Sequence, residues 1–110
     1  MTKLYKLVVN VPLTHADAVR KAIGDAGAGQ VGNYSHCSFS ICGTGRFLPN
    51  ERANPHIGRS GTLETVEEEQ IQVDVTRDKL SNVISAMRSA HPYEEIGFEI
   101  YEQIDWQNLK

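Results

Sequence analysis

His91-Pro92-Tyr93-Glu94-Glu95 sets an imidazole, a phenol and two carboxylates beside one another in the chain. Neutral imidazole and carboxylate oxygen are ligands for zinc and its neighbours, and an imidazole beside an acid is the minimal set for general acid–base chemistry. Proline disfavours helix at the residue before it, so the pentad reads as the exit of a helix and the start of a strand. Carbonyls at a helix C-terminus carry partial negative charge, and Glu94 and Glu95 add to it, so this corner favours a cation. The candidate metal set is His91, Glu94 and Glu95, completed by Glu67 or Glu64 and by a histidine of a neighbouring subunit. A divalent ion such as zinc or copper is the cofactor this set implies. The competing reading is structural: His91 satisfies the last helix carbonyls, Tyr93 packs its ring, and the glutamates are solvated or paired with Arg46, Arg52 or Arg59. The spacing does not choose between them.

His56, between Pro55 and Ile57, is the second candidate ligand, with Tyr93 beside the pentad as a further site residue. Glu67 and Glu69 alternate with Ile71, Val73 and Val75, and carboxylates on an apolar strand face are costly unless paired, protonated or at a boundary. A subunit interface, a ligand cavity or a strand bulge would each account for them. Gly43-Thr44-Gly45-Arg46 looks like a phosphate cradle, but it lacks the dinucleotide fingerprint and the P-loop lysine, and a turn is the better reading. Ser35, Ser38 and Ser40 lie outside any nucleophile-elbow pattern, so no catalytic residue is assigned.

The elements that must position these groups follow from periodicity. Residues 4–11 alternate, with Tyr5, Leu7, Val9 and Val11 on one side, as a first strand does. Residues 13–26 repeat apolar positions at three and four, with Thr14 as cap and Gly27 as left-handed exit, which predicts a helix. A second strand is expected over 35–42, and a glycine- and proline-rich loop over 43–61. A third strand follows over 62–75. A second helix capped by Thr76 carries Leu80, Val83, Ile84, Met87 and Ala90. A fourth strand over 94–104 precedes a tail in which Trp106 is expected to pack back. The order β-α-β-β-α-β predicts an α+β, ferredoxin-like sandwich: a four-stranded antiparallel sheet with both helices on one face. Right-handed crossovers then bring the 43–61 loop, His15, the start of the third strand and the pentad to one end of the sheet.

With 110 residues the chain reads as one domain, residues 1–110, with a single core. It is 40% hydrophobic and 23% charged with a net charge of −3, and no apolar run approaches the roughly 18 residues a membrane span needs. No membrane association is expected. Fourteen acidic residues against 11 scattered basic ones give no footprint for a phosphate backbone, so nucleic acid is not an expected partner. The start of the chain lacks the features of a secretory signal, and a cytoplasmic location is expected. Cys37 and Cys42 read as reduced, buried structural cysteines.

Gly27-Ala28-Gly29, Gly32-Asn33-Tyr34, Cys37-Ser38-Phe39, Gly43-Thr44-Gly45-Arg46-Phe47, Asn54-Pro55 with Gly58, and the pentad together resemble the small inserted domain of the Nif-three-like family. That domain is itself similar to the PII regulatory and CutA divalent-cation-tolerance proteins, and the chain resembles its freestanding form. The resemblance implies a homo-oligomer, a trimer before a dimer. It implies no hydrolase activity, because the family's metal-pair ligands lie in its larger domain. The expected function is a non-enzymatic binding or regulatory domain holding a divalent metal or small ligand at an inter-subunit cleft. A module docking on a partner protein through residues 43–61 is the alternative, and a weak hydrolase-type enzyme the third.

Overall fold

The computed structural model describes residues 3–109. Its elements are β1 (Leu4–Pro12), α1 (Leu13–Asp25), β2 (Phe39–Phe47), β3 (Glu64–Thr76), a 3-10 turn (Arg77–Lys79), α2 (Leu80–Ala90), β4 (Phe98–Glu102) and a last 3-10 turn (Trp106–Asn108). The strands form one sheet in the order β2-β3-β1-β4, with every neighbouring pair antiparallel. β1 and β2 therefore run one way and β3 and β4 the other, as right-handed crossovers require. This is the ferredoxin-like sandwich that the element order predicts.

Alternation along β1 and β3 decides which face the helices cover. Leu7, Val9 and Val11 lie in register with Val73, Ile71 and Glu69. The aliphatic members of this row join Ala16, Val19 and Ile23 of α1 and Leu80, Val83 and Met87 of α2 in one buried core. Each of the valine, leucine, isoleucine and methionine side chains contributes about 1.5–3 kcal/mol relative to exposure. Lys6, Val8 and Asn10, with their partners Asp74, Gln72 and Gln70, occupy the opposite face, which carries no helix. Gly29 stitches the segment after α1 to the sheet. Its N–H donates to the Asp74 carbonyl at 2.7 Å and its carbonyl accepts from Cys37 N–H at 3.0 Å. Its φ is +81°, and a Cβ there would lie 2.3 Å from the Cys37 carbonyl oxygen, so only glycine fits.

Several boundaries differ from the sequence expectation. Pro12, not Thr14, precedes the first helical residue, with φ at −62°. Thr14 lies within the first turn, its Oγ1 2.8 Å from His15 Nδ1. Thr76 precedes the 3-10 turn and makes no capping bond, so α2 proper begins at Leu80. β2 starts at Phe39 and continues to Phe47, absorbing the Gly43-Thr44-Gly45-Arg46 stretch expected to be a turn. These residues pair with Glu68, Glu67, Val66 and Thr65 of β3. Turn-type composition is overridden here because the long β3 offers a row of hydrogen-bonding groups and an edge strand tolerates glycine. The irregular segment shrinks to residues 48–63. β4 begins at Phe98, so the pentad and Ile96-Gly97 form an irregular connection. Cys42 is exposed rather than buried, Cys37 is half-buried ahead of β2, and both are free. Trp106 is 74% exposed and does not pack back on the sheet.

Candidate functional site

Pro92 ends α2 at Ala90, and the chain turns back across the end of β1. His91 is 6% exposed, the sole buried polar or charged residue among those described. Its Nε2 lies 2.7 Å from the Asn10 carbonyl and its Nδ1 accepts from Tyr93 N–H at 3.2 Å. The carbonyl requires Nε2 to carry the proton and the amide requires Nδ1 to lack one, so the network assigns a neutral ring. Burial pushes the His91 pKa down, against the raising effects of the Asn10 bond and the Glu68 charge, and His15 and His56 lower it further.

The turn at His91 aims Tyr93 at the helix-free face. Its O–H donates to Glu68 Oε2 at 2.8 Å, and its ring stands edge-on to Phe47 with centroids 6.1 Å apart. Burial, reinforced by the bond to Glu68, raises the phenol pKa far above its usual range. Glu68 is further confined by Gly45, where a Cβ would fall 2.1 Å from Glu68 Oε1. Glycine at position 45 thus keeps open the space the carboxylate occupies.

The loop after β2 closes over this corner. Gly61 N–H donates to the Pro49 carbonyl at 2.9 Å, Ser60 Oγ donates to the Asn50 carbonyl at 2.8 Å, and Asn50 Oδ1 accepts from Arg52 N–H at 2.9 Å. Asn54 N–H then donates to Glu94 Oε1 at 2.7 Å, tying loop to pentad across the chain. His56 meets His15 at the start of α1, edge to face, with ring centroids 5.3 Å apart. The distant loop, the pentad and the first helix start therefore share one end of the sheet, as the topology predicts. Between them lies an open cleft of about 740 Å³, lined by Asn10, residues 45–50, Arg52, Ala53, Pro55, His56 and Ile57, and by Glu68, Tyr93, Glu94, Glu95 and Gly97. Its size falls in the range of small-molecule sites.

The residues expected to hold a metal are distributed differently. Glu94 and Glu95 line the cleft, and Tyr93 and His56 join them. His91 stands behind its wall with both ring nitrogens engaged by backbone. Glu67 is exposed on the opposite side of β3 from Glu68, because neighbouring strand residues alternate. Among the described residues, no group of three or more His, Cys, Asp or Glu could hold a metal ion. His91, with both ring nitrogens bonded to backbone, and Glu67, on the far side of β3, are not placed to share a metal with Glu94 and Glu95 within one chain. Glu69 on the core-side row is neutralised within the chain: Arg20 Nη1 of α1 lies 2.6 Å from its Oε1 and 3.1 Å from Ser40 Oγ. Neither a bulge nor a subunit boundary is needed for it. Glu68 is the acid the sequence reading passed over. Its signal was its place on the polar row of β3, level with a glycine of β2, while a tyrosine in the pentad needed an acceptor.

No protein-family model matches the chain. It is 54% identical over 98 residues to the GTP cyclohydrolase 1 type 2 homolog of Halalkalibacterium halodurans, covering 89% of this chain and 26% of that protein. A crystal structure of a Bacillus cereus protein related to NIF3 superposes with a TM-score of 0.81 at 48% identity, covering 94% of this chain and 26% of that one. The chain is homologous to one segment of the NIF3-related proteins. It spans about a quarter of the length of these NIF3-related relatives, 26% in both cases. The divalent ion tolerance protein CutA of Ehrlichia chaffeensis shares the fold, with a TM-score of 0.69 at 12% identity over 98% of this chain and 88% of that one. That likeness extends the NIF3-related segment's fold to CutA-like proteins. No helix among the described residues is long and apolar enough to cross a membrane.

Proposed function

We propose that the chain is a homo-oligomeric, non-enzymatic binding domain of the cytoplasm, in which the helix-free sheet face joins copies and the cleft at its rim takes a small ligand. The observation that carries this reading is the composition of that face. Phe39 and Ile41 on β2 and Tyr101 on β4 are exposed by 64%, 48% and 52%. The polar residues between them already satisfy one another. Gln70 Nε2 donates to Asn10 Oδ1, Gln72 Nε2 to Gln70 Oε1, and Tyr101 O–H to Glu99 Oε2, while Lys6 pairs with Asp74. A surface with apolar anchors whose polar groups are bonded to one another is covered at lower desolvation cost than one with open donors and acceptors. The radius of gyration, 15.5 Å, also exceeds the roughly 13 Å of a compact domain near this length.

A trimer is favoured over a dimer, in keeping with the CutA-like fold. Sedimentation velocity across a range of micromolar concentrations tests the reading. The expected result is a species of three protomer masses that Phe39→Glu with Ile41→Glu converts to folded monomer. A wild-type protein that sediments as a monomer throughout would overturn it. A second reading, docking on another protein through residues 48–63, is supported by Leu48 and Leu63, exposed by 62% and 65% at the two ends of that segment.

A further inference from the structure

We infer that the cleft takes a small organic anion, a carboxylate or phosphate carried on an apolar body, held by Arg46 and Arg52. This rests on the reading of the cleft as a small-ligand site and specifies its ligand class. Both arginines line the cleft. Neither belongs to any ion pair found among the described residues. Three carboxylates share the lining with them, and two of these are turned to neutral donors of the protein. Glu68 accepts from the Tyr93 hydroxyl and Glu94 from Asn54 N–H, and among the described residues Glu95 bonds to no protein donor. Guanidinium groups are planar donors matched to carboxylate and phosphate oxygens, and neither of the two in this lining is paired with a carboxylate among the described residues.

Two neighbouring features act in the same direction. α1 begins at Pro12 and Leu13 with no capping side chain and no acidic residue in its first turn, so its N-terminal positive end is uncompensated. His15 in that turn touches His56 of the cleft lining, which brings this potential to the rim. The remaining walls select for an apolar body. Phe47 and Tyr93 form an aromatic corner, and Leu48 and Ile57 also line the cleft.

Four probes of one size separate the contributions: benzoate, phenyl phosphate, benzyl alcohol and benzylammonium, each titrated into the nitrogen-15-labelled full chain and followed by amide chemical shifts. Benzoate and phenyl phosphate are expected to move amides of residues 45–57 and 93–97 saturably, more weakly as salt is raised. The difference between the two anions reports whether carboxylate or phosphate is preferred. Arg46→Gln with Arg52→Gln is expected to weaken both about tenfold or more while leaving the rest of the spectrum in place. If benzyl alcohol binds as well as the anions, or the double variant binds them unchanged, the cleft is a ligand site but the anion assignment is overturned. If benzylammonium binds in preference, the charge assignment is reversed. If no probe moves these amides, the small-ligand reading falls along with it.

Discussion

His91 holds the corner of the cleft in its neutral form, and that gives the site a defined response to acid. A proton on Nδ1 would face the Tyr93 N–H that Nδ1 now accepts, and would place a charge in a 6% exposed position. Because burial lowers the folded-state pKa below the ordinary 6.5, the unfolded chain takes up this proton first as pH falls. The His91 contribution is therefore fully present above about pH 6.5 and is lost progressively below it. Melting temperatures recorded between pH 7.5 and pH 5 are expected to decline with acid, and the decline should be shallower in His91→Gln. That variant keeps a donor for the Asn10 carbonyl without titrating, and should be less stable than wild type at pH 7.5 by about 1–2 kcal/mol. Parallel pH dependences in the two proteins would show that His91 is not the group responsible. The sequence made His91 conspicuous but not its role. A buried imidazole and a metal-ligating one have the same local sequence, and only the approach of the Asn10 carbonyl from β1 distinguishes them.

Among the elements, those with strong periodicity were legible and those governed by partners were not. The alternation of Leu7, Val9 and Val11 with Lys6, Val8 and Asn10 specified β1 and its two faces without outside information. β2 was mis-bounded because four of its residues, Gly43-Thr44-Gly45-Arg46, have turn composition and become strand only by pairing with β3. Glu69 was visibly anomalous, but its explanation lay on α1, 49 positions away in the chain. The Arg20–Glu69 pair is part-buried, so removing the cation leaves a carboxylate among apolar groups. Arg20→Leu is expected to destabilise the fold by about 1–3 kcal/mol, and adding Glu69→Leu to recover most of that loss. Urea titrations of the two single variants and the double variant measure the coupling. Additive losses would mean that the ion pair contributes nothing to joining α1 to the sheet.

For the whole molecule, the element order carried the most information of any sequence feature. It predicts the 43–61 loop, His15 and the pentad at one end of the sheet, and the Asn54–Glu94 bond and the His15–His56 pair occur there. What the order could not convey is the fate of the helix-free face, since a sheet surface carrying Phe39, Ile41 and Tyr101 beside bonded glutamines is compatible with solvent in one chain and with burial in an assembly. The joining of copies through that face is the central claim, and hydroxyl-radical footprinting read by mass spectrometry tests it most directly. Phe39 and Tyr101 should be oxidised slowly in the wild-type protein and rapidly in an Ile41→Glu variant that sedimentation shows to be monomeric, whereas Tyr34 and Trp106, each 74% exposed, should react rapidly in both. Oxidation of Phe39 and Tyr101 at the monomer's rate in the wild-type protein would contradict the account.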